Sequence, residues 1–200
     1  IVPDKRLVIV RTGMTRGIRL PGRCGRPYLV FGSPAQRRVP AGMTMSDALH
    51  QGAAVFRQLG NLAAAEGTRI TVEANPAAYG TNFCTTLDEA EAFAALVDHP
   101  AVALILDLGA MHMNANFASV PARLPALTPR LNHVHVSEPD LAPAPADAAA
   151  LVPVLQGLRA CGYTKAVSIE MKRAPEGLAA VRGAAARLAE AHHVAETAHA

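Results

Sequence analysis

The stretch Arg130–Leu141, RLNHVHVSEPDL, alternates polar and apolar residues from His133 to Val136. In an extended chain, residues two apart share a face. His133 and His135 therefore point one way, Val134 and Val136 the other. A parallel strand covered by helices on both faces should be apolar throughout. Here one face is ready to pack and the other meets something polar.

The pattern recurs along the chain. In ITVEAN (residues 70–75), Thr71 and Glu73 share one face while Ile70 and Val72 share the other. In LILDLG (104–109), Asp107 follows Ile105 on one face, with Leu104 and Leu106 opposite. In VSIEMK (167–172), Ser168 and Glu170 lie opposite Val167 and Ile169. Four successive segments thus end on an ionisable side chain. One such residue is ordinarily a loop-facing group satisfied by backbone or water. Burying four without partners is costly, so four in register need a common reason. In parallel α/β folds, active sites form at the C-terminal strand ends. Two Glu, one Asp and one His converging there make an oxygen and nitrogen shell for a divalent metal.

Short apolar runs fall at Tyr28–Phe31, Arg69–Glu73, Val102–Asp107, Asn132–Val136 and Ala166–Glu170. Between them lie helical segments at about Ser46–Glu66, Leu87–Val97, Ala146–Ala160 and Glu176–Val194, with a shorter one at Asn116–Leu127. Ser46-Asp47 and Thr85-Thr86 are candidate N-caps, and Gly67 and Gly162 stand where helices should stop. Alternating strand and helix predicts βα units and a parallel sheet. No linker or charge block divides the chain, so residues 1–200 read as a single domain. The βα units run over 28–200, and residues 1–27 fit the beat poorly. RLVIVR (6–11) reads as a strand or as part of a helix running into MTRGIRLPGR (14–23). Five strands, with a sixth open, fall short of the eight that a (β/α)8 barrel needs over typically about 250 residues.

Composition narrows the function. The 200 residues are 50% hydrophobic and 18% charged, which suits a sizeable core and excludes a disordered chain. The formal charge is only +3, and the basic residues from Lys5 to Arg26 are spread out, which argues against a nucleic-acid partner. Three cysteines without CxxC spacing (Cys24, Cys84 and Cys161) argue against a disulfide framework and a structural zinc site. They suit a reducing, cytoplasmic setting. No apolar run reaches membrane-spanning length.

Taken in order, YLVFGSP (28–34), TVEANP..YG..F..T..EA (71–90), LDLGAMHMN (106–114), HVHVSEPDL (133–141) and VSIEMK resemble the xylose isomerase-like TIM-barrel superfamily, often called sugar phosphate isomerases/epimerases. The resemblance covers about residues 28–190 and would make these the fourth to eighth βα units. It implies a (β/α)8 barrel that, in this chain, lacks its first two or three units. It further implies a divalent metal (Mn2+, Mg2+ or Co2+, with Zn2+ less suited) held by Glu73, Asp107, His135 and Glu170. His135 is chosen over His133 because the family's HxH strand uses its second histidine. Glu73 and Glu170 would exchange the proton in an isomerisation or epimerisation next to a carbonyl, through an enediolate.

The expected substrate is a small carbohydrate-like molecule: a sugar, sugar phosphate or hydroxy-keto acid. Candidate substrate contacts are His112, His133, Arg37 and Lys172. His133 also reads as a satisfied core histidine, and Arg37 and Lys172 as solvated residues. His112 resembles a substrate histidine of the ketose 3-epimerases, but it falls five residues after Asp107 where those enzymes place theirs three after. Leu141 stands where they carry an arginine, which argues against a free ketohexose. Tyr79 and Phe83 would close a loop over the substrate or anchor it. Two alternatives remain: an endonuclease IV-like metal-dependent phosphodiesterase, and an inactive truncated barrel. Unpaired strand edges leave homo-oligomerisation open.

Overall fold

The computed structural model describes residues 12–19 and 28–197. RLVIVR lies outside the described residues. Residues 12–19, within the segment read as strand or helix, form helix α1. The chain divides into two compact units, with the boundary between Ile105 and Leu106.

The first unit contains β1 (Leu29–Phe31), α2 (Met45–Ala65), β2 (Ile70–Glu73), α3 (Leu87–Val97) and the first part of β3 (Val102–Asp107). β1 pairs in parallel with β2, and β2 with β3, in a register that sets Phe31 beside Val72 and Glu73 beside Ile105. Helices cover one face. Phe31, Phe56, Phe93 and Phe83 form a chain of edge-to-face pairs with centroids 4.9, 5.2 and 5.1 Å apart. Each such pair contributes roughly 0.5–1.5 kcal/mol beyond the area it buries. The chain of rings fixes α2 and α3 against β1.

Side-chain caps set where these helices begin. Thr44 Oγ1 accepts from Asp47 N–H at 3.0 Å and donates to Asp47 Oδ2 at 2.7 Å. The cap of α2 is thus Thr44, not Ser46, because only Thr44 stands three residues before a carboxylate that can answer it. Thr86 caps α3 by accepting from Glu89 N–H at 3.2 Å, while Glu89 Oε2 accepts from Thr85 N–H at 2.6 Å.

The second unit holds the end of β3, α4 (Leu108–Met113), α5 (Val120–Leu127), β4 (Leu131–Val136), α6 (Ala148–Ala160), β5 (Val167–Ile169) and α7 (Leu178–Thr197). β4 and β5 are parallel, with His135 beside Ser168 and Val136 beside Ile169. Val134 and Val136 are buried at 0% and 1% exposure, as the alternation predicts. Helix α4 is not anticipated by the sequence reading. It follows β3 without an intervening loop, and Asp107 is at once the last strand residue and the N-cap. No helix among the described residues is long and apolar enough to cross a membrane.

Candidate metal centre

Asp107 is held from two sides. Its Oδ1 accepts from Ala110 N–H at 2.6 Å, the capping bond of α4, and its Oδ2 accepts from Ser137 Oγ at 2.8 Å. Ser137, one residue past β4 and 2% exposed, in turn accepts from Gly109 N–H at 2.8 Å. Gly109 leaves no space for a side chain, because a Cβ there would lie 2.8 Å from the Glu138 carbonyl oxygen. The end of β3, the start of α4 and the end of β4 are thereby tied around one carboxylate.

His135 points into the same place. Its Nδ1 lies 2.8 Å from Glu170 Oε2 and 3.7 Å from Asp107 Oδ2. The side chains of His135 and Asp107 are 12% and 11% exposed, whereas Glu170 is 42% exposed. Each of the three offers one ligand atom, and these atoms lie within 4.8 Å of one another. Two carboxylate oxygens and an imidazole nitrogen converging at this spacing are a donor set that fits a divalent cation.

His133 shares the face of His135, the two rings standing edge to face at 4.9 Å. It is 2% exposed, and its Nε2 is hydrogen-bonded to Ser168 Oγ at 2.7 Å. Burial, reinforced by the neighbouring His135 and opposed by Glu170, pushes its pKa down to about 4. The imidazole is therefore neutral at neutral pH.

His112 is half-buried, and its ring stacks on Phe117 at 3.9 Å. It lines a cleft of about 110 Å³ together with Ser137, Glu138 and Asp147. Lys172 is exposed, and its backbone N–H donates to Leu141 O at 2.9 Å.

In the first unit, Glu73 closes β2 and is 8% exposed. Its Oε2 accepts from Asn75 Nδ2 at 3.3 Å, and a Cβ at Gly32 would collide with its carboxylate. Arg37, expected in an exposed loop, is 3% exposed, and its Nη1 donates to the Glu73 carbonyl at 2.6 Å. Thr81 Oγ1 donates to Arg37 O at 2.6 Å, and Asn82 Oδ1 accepts from Val39 N–H at 2.8 Å. These bonds and the packing of Phe83 on Phe93 anchor the loop after Glu73. Sequence reasoning missed Ser137 and the burial of Arg37. Arg37 stands outside any alternating strand, so periodicity gives no signal for it, whereas Ser137 keeps the parity of His133 and His135 but lies one residue past the end of β4.

Parallel βα units carrying carboxylates and an imidazole at their C-terminal strand ends define an α/β protein with a candidate site for a divalent cation. The chain belongs to the xylose isomerase-like TIM barrel family, whose model matches residues 3–191. No curated protein matches its sequence significantly. Solved structures do match. An L-ribulose 3-epimerase superposes with a TM-score of 0.77 at 19% identity, covering 93% of this chain and 68% of its own. A 3-keto-D-glucoside 4-epimerase from E. coli gives 0.73 at 20% identity, covering 90% and 70%. A D-tagatose 3-epimerase-like protein gives 0.80 at 16% identity, covering 100% and 74%.

Proposed function

We propose that the chain is a divalent-metal-dependent isomerase or epimerase of a small carbohydrate-like substrate, moving a proton at the carbon beside a carbonyl. The convergence of Asp107, His135 and Glu170 carries this reading. Glu73 is its fourth ligand, since Glu73 closes β2 as Asp107 closes β3 and is the position that the family resemblance assigns. A bound Mn2+, Mg2+ or Co2+ ion supplies Lewis-acid stabilisation of the negative charge that develops on the substrate oxygens.

This chain's own residues do the rest. Glu73 and Glu170 are the proton-transfer pair, one carboxylate removing the proton and the other returning it. His133, neutral and fixed by Ser168, offers a hydrogen bond to the substrate without adding charge. His112 contacts the substrate from α4, and exposed Lys172 suits an anionic substituent. Arg37 supports Glu73 by holding its carbonyl. The names of the structural neighbours, epimerases of ribulose, keto-glucoside and tagatose type, support a carbohydrate substrate class. Leu141, where ketose 3-epimerases carry an arginine, favours a substrate other than a free ketohexose.

The test is calorimetric titration of Mn2+ into chelator-stripped wild-type protein and into Glu170→Gln. One-to-one binding that the variant loses supports the centre. Keto-sugars and hydroxy-keto acids are then incubated in D2O and deuterium at the carbon next to the carbonyl is followed by NMR. Absence of Mn2+ binding by the folded wild type would sink the metal reading.

A further inference from the structure

Arg37 carries two observations that support of Glu73 does not explain. Nη1 is occupied, donating to Glu73 O and, at 3.4 Å, to Phe31 O, and the guanidinium carbon lies 5.1 Å from the Phe31 ring centroid. Among the described residues, however, Nε and Nη2 are buried and have no hydrogen-bond partner. Burial lowers the pKa of the group, with Cys84 and Glu73 pulling it back up, yet arginine stays charged throughout the physiological range. Leaving two donors of a buried cation unmet is costly.

Nε and Nη2 are the side-on pair of the guanidinium, whose two parallel N–H bonds match the two oxygens of a carboxylate. Arg37 also lines a cleft of about 100 Å³ in the first unit, whose other walls include Phe31, Phe56, Phe83, Val55 and Gln51. Water alone is a poor occupant, because a held water needs two to four polar partners and most of this wall is carbon.

We propose that this cleft is a binding site for a small organic carboxylate that seats its short apolar body among the phenylalanines and draws its oxygens onto the Nε/Nη2 fork of Arg37, which is closed to solvent in the free protein and turns toward the cleft as the ligand enters. The site lies wholly within the first unit and does not depend on metal binding or on the proposed reaction. Exposed Arg38, which also lines the cleft, assists capture without joining the fork.

The experiment titrates pentanoate into the 15N-labelled full chain and follows the Arg37 Nε–Hε resonance, assigned by its loss in Arg37→Lys. Pentanol and inorganic phosphate serve as probes that lack the charge and the apolar body respectively. A saturable shift is expected with pentanoate, with both controls at least about tenfold weaker. Val55→Trp, which fills the cleft and leaves Arg37 in place, abolishes the shift, whereas Arg38→Gln changes the affinity by no more than about twofold. The proposal is overturned by absence of a saturable shift in folded wild type, or by an undiminished shift in Val55→Trp. Phosphate binding as tight as pentanoate overturns it too, since that marks a bare oxyanion contact.

Discussion

Ser137→Ala tests whether the Asp107 carboxylate is held in place or merely happens to lie there. The serine hydroxyl donates to Asp107 Oδ2 and accepts from Gly109 N–H, both at 2.8 Å, in a position that is 2% exposed. The first bond is charge-assisted and worth about 1.5–3 kcal/mol. Removing the acceptor also strands a buried N–H, at about 1–3 kcal/mol. The two losses share one atom and partly relax together, so the expected destabilisation is about 2–4 kcal/mol. In a chain of this size that lowers Tm by roughly 5–12 °C. Because the same bond orients a candidate ligand, Mn2+ affinity should also fall about 10–100-fold. Urea unfolding monitored by circular dichroism gives the first quantity, and calorimetry on the folded variant gives the second. A variant within about 0.5 kcal/mol of wild type that binds Mn2+ equally well would refute the linkage between β3, α4 and β4 described above.

Further outcomes follow from other parts of the molecule. Gly32→Ala places a methyl group against the Glu73 carboxylate, a flexible chain end. It should cost less than about 1 kcal/mol of stability yet weaken Mn2+ binding at least tenfold, measured by the same pair of assays. Phe93→Ala removes a ring that is 1% exposed and packed edge-on against both Phe56 and Phe83, and should cost about 3–5 kcal/mol in urea unfolding. Burial pushes the Cys84 thiol up to about 12, outweighing the opposing pull of Arg37. In a Cys24→Ser background, iodoacetamide at pH 8.5 should label Cys161 and spare Cys84 until the protein unfolds. The folded thiol holds its proton where the unfolded one has lost it. The stability associated with Cys84 is therefore complete below about pH 9 and declines as pH rises toward 12, which pH-dependent unfolding of Cys84→Ala should flatten.

The strands were legible because a period of two is a strong signal when one face must pack. The five strands among the described residues lie within about a residue of their expected positions, and β3 matches at both ends. Helix α3 was equally plain, since Thr85-Thr86 mark its start and the Ala/Leu-rich run ends at Val97. Helix α4 was hidden because LILDLGAM is one unbroken apolar stretch in which only Asp107 marks the change of period. Thr44 was overlooked although TMSD, with an acceptor three residues before a carboxylate, is a readable box. The Asp107, His135 and Glu170 cluster was visible as strand-end parity, whereas the second layer around it was not. What Ser137 does depends on Gly109, which is brought to it by folding. Arg37 stood in a stretch rich in Pro, Gln and Arg that reads as solvated, and its burial comes from α2 and from the loop after β2.

Asp107 closes a strand and opens a helix, which turns sequence spacing into phase. Each residue along α4 rotates the next side chain by about 100°. Ala110, three residues on, comes nearly back over the capping carboxylate, whereas His112 is swung about 200° further and lies flat on Phe117. Adding or deleting two residues between Asp107 and His112 would act as a half-turn of a dial, bringing a different side chain above an unchanged strand end. In such a scaffold, what hangs over the carboxylate can be exchanged by slipping the helix, with no residue of the site itself replaced.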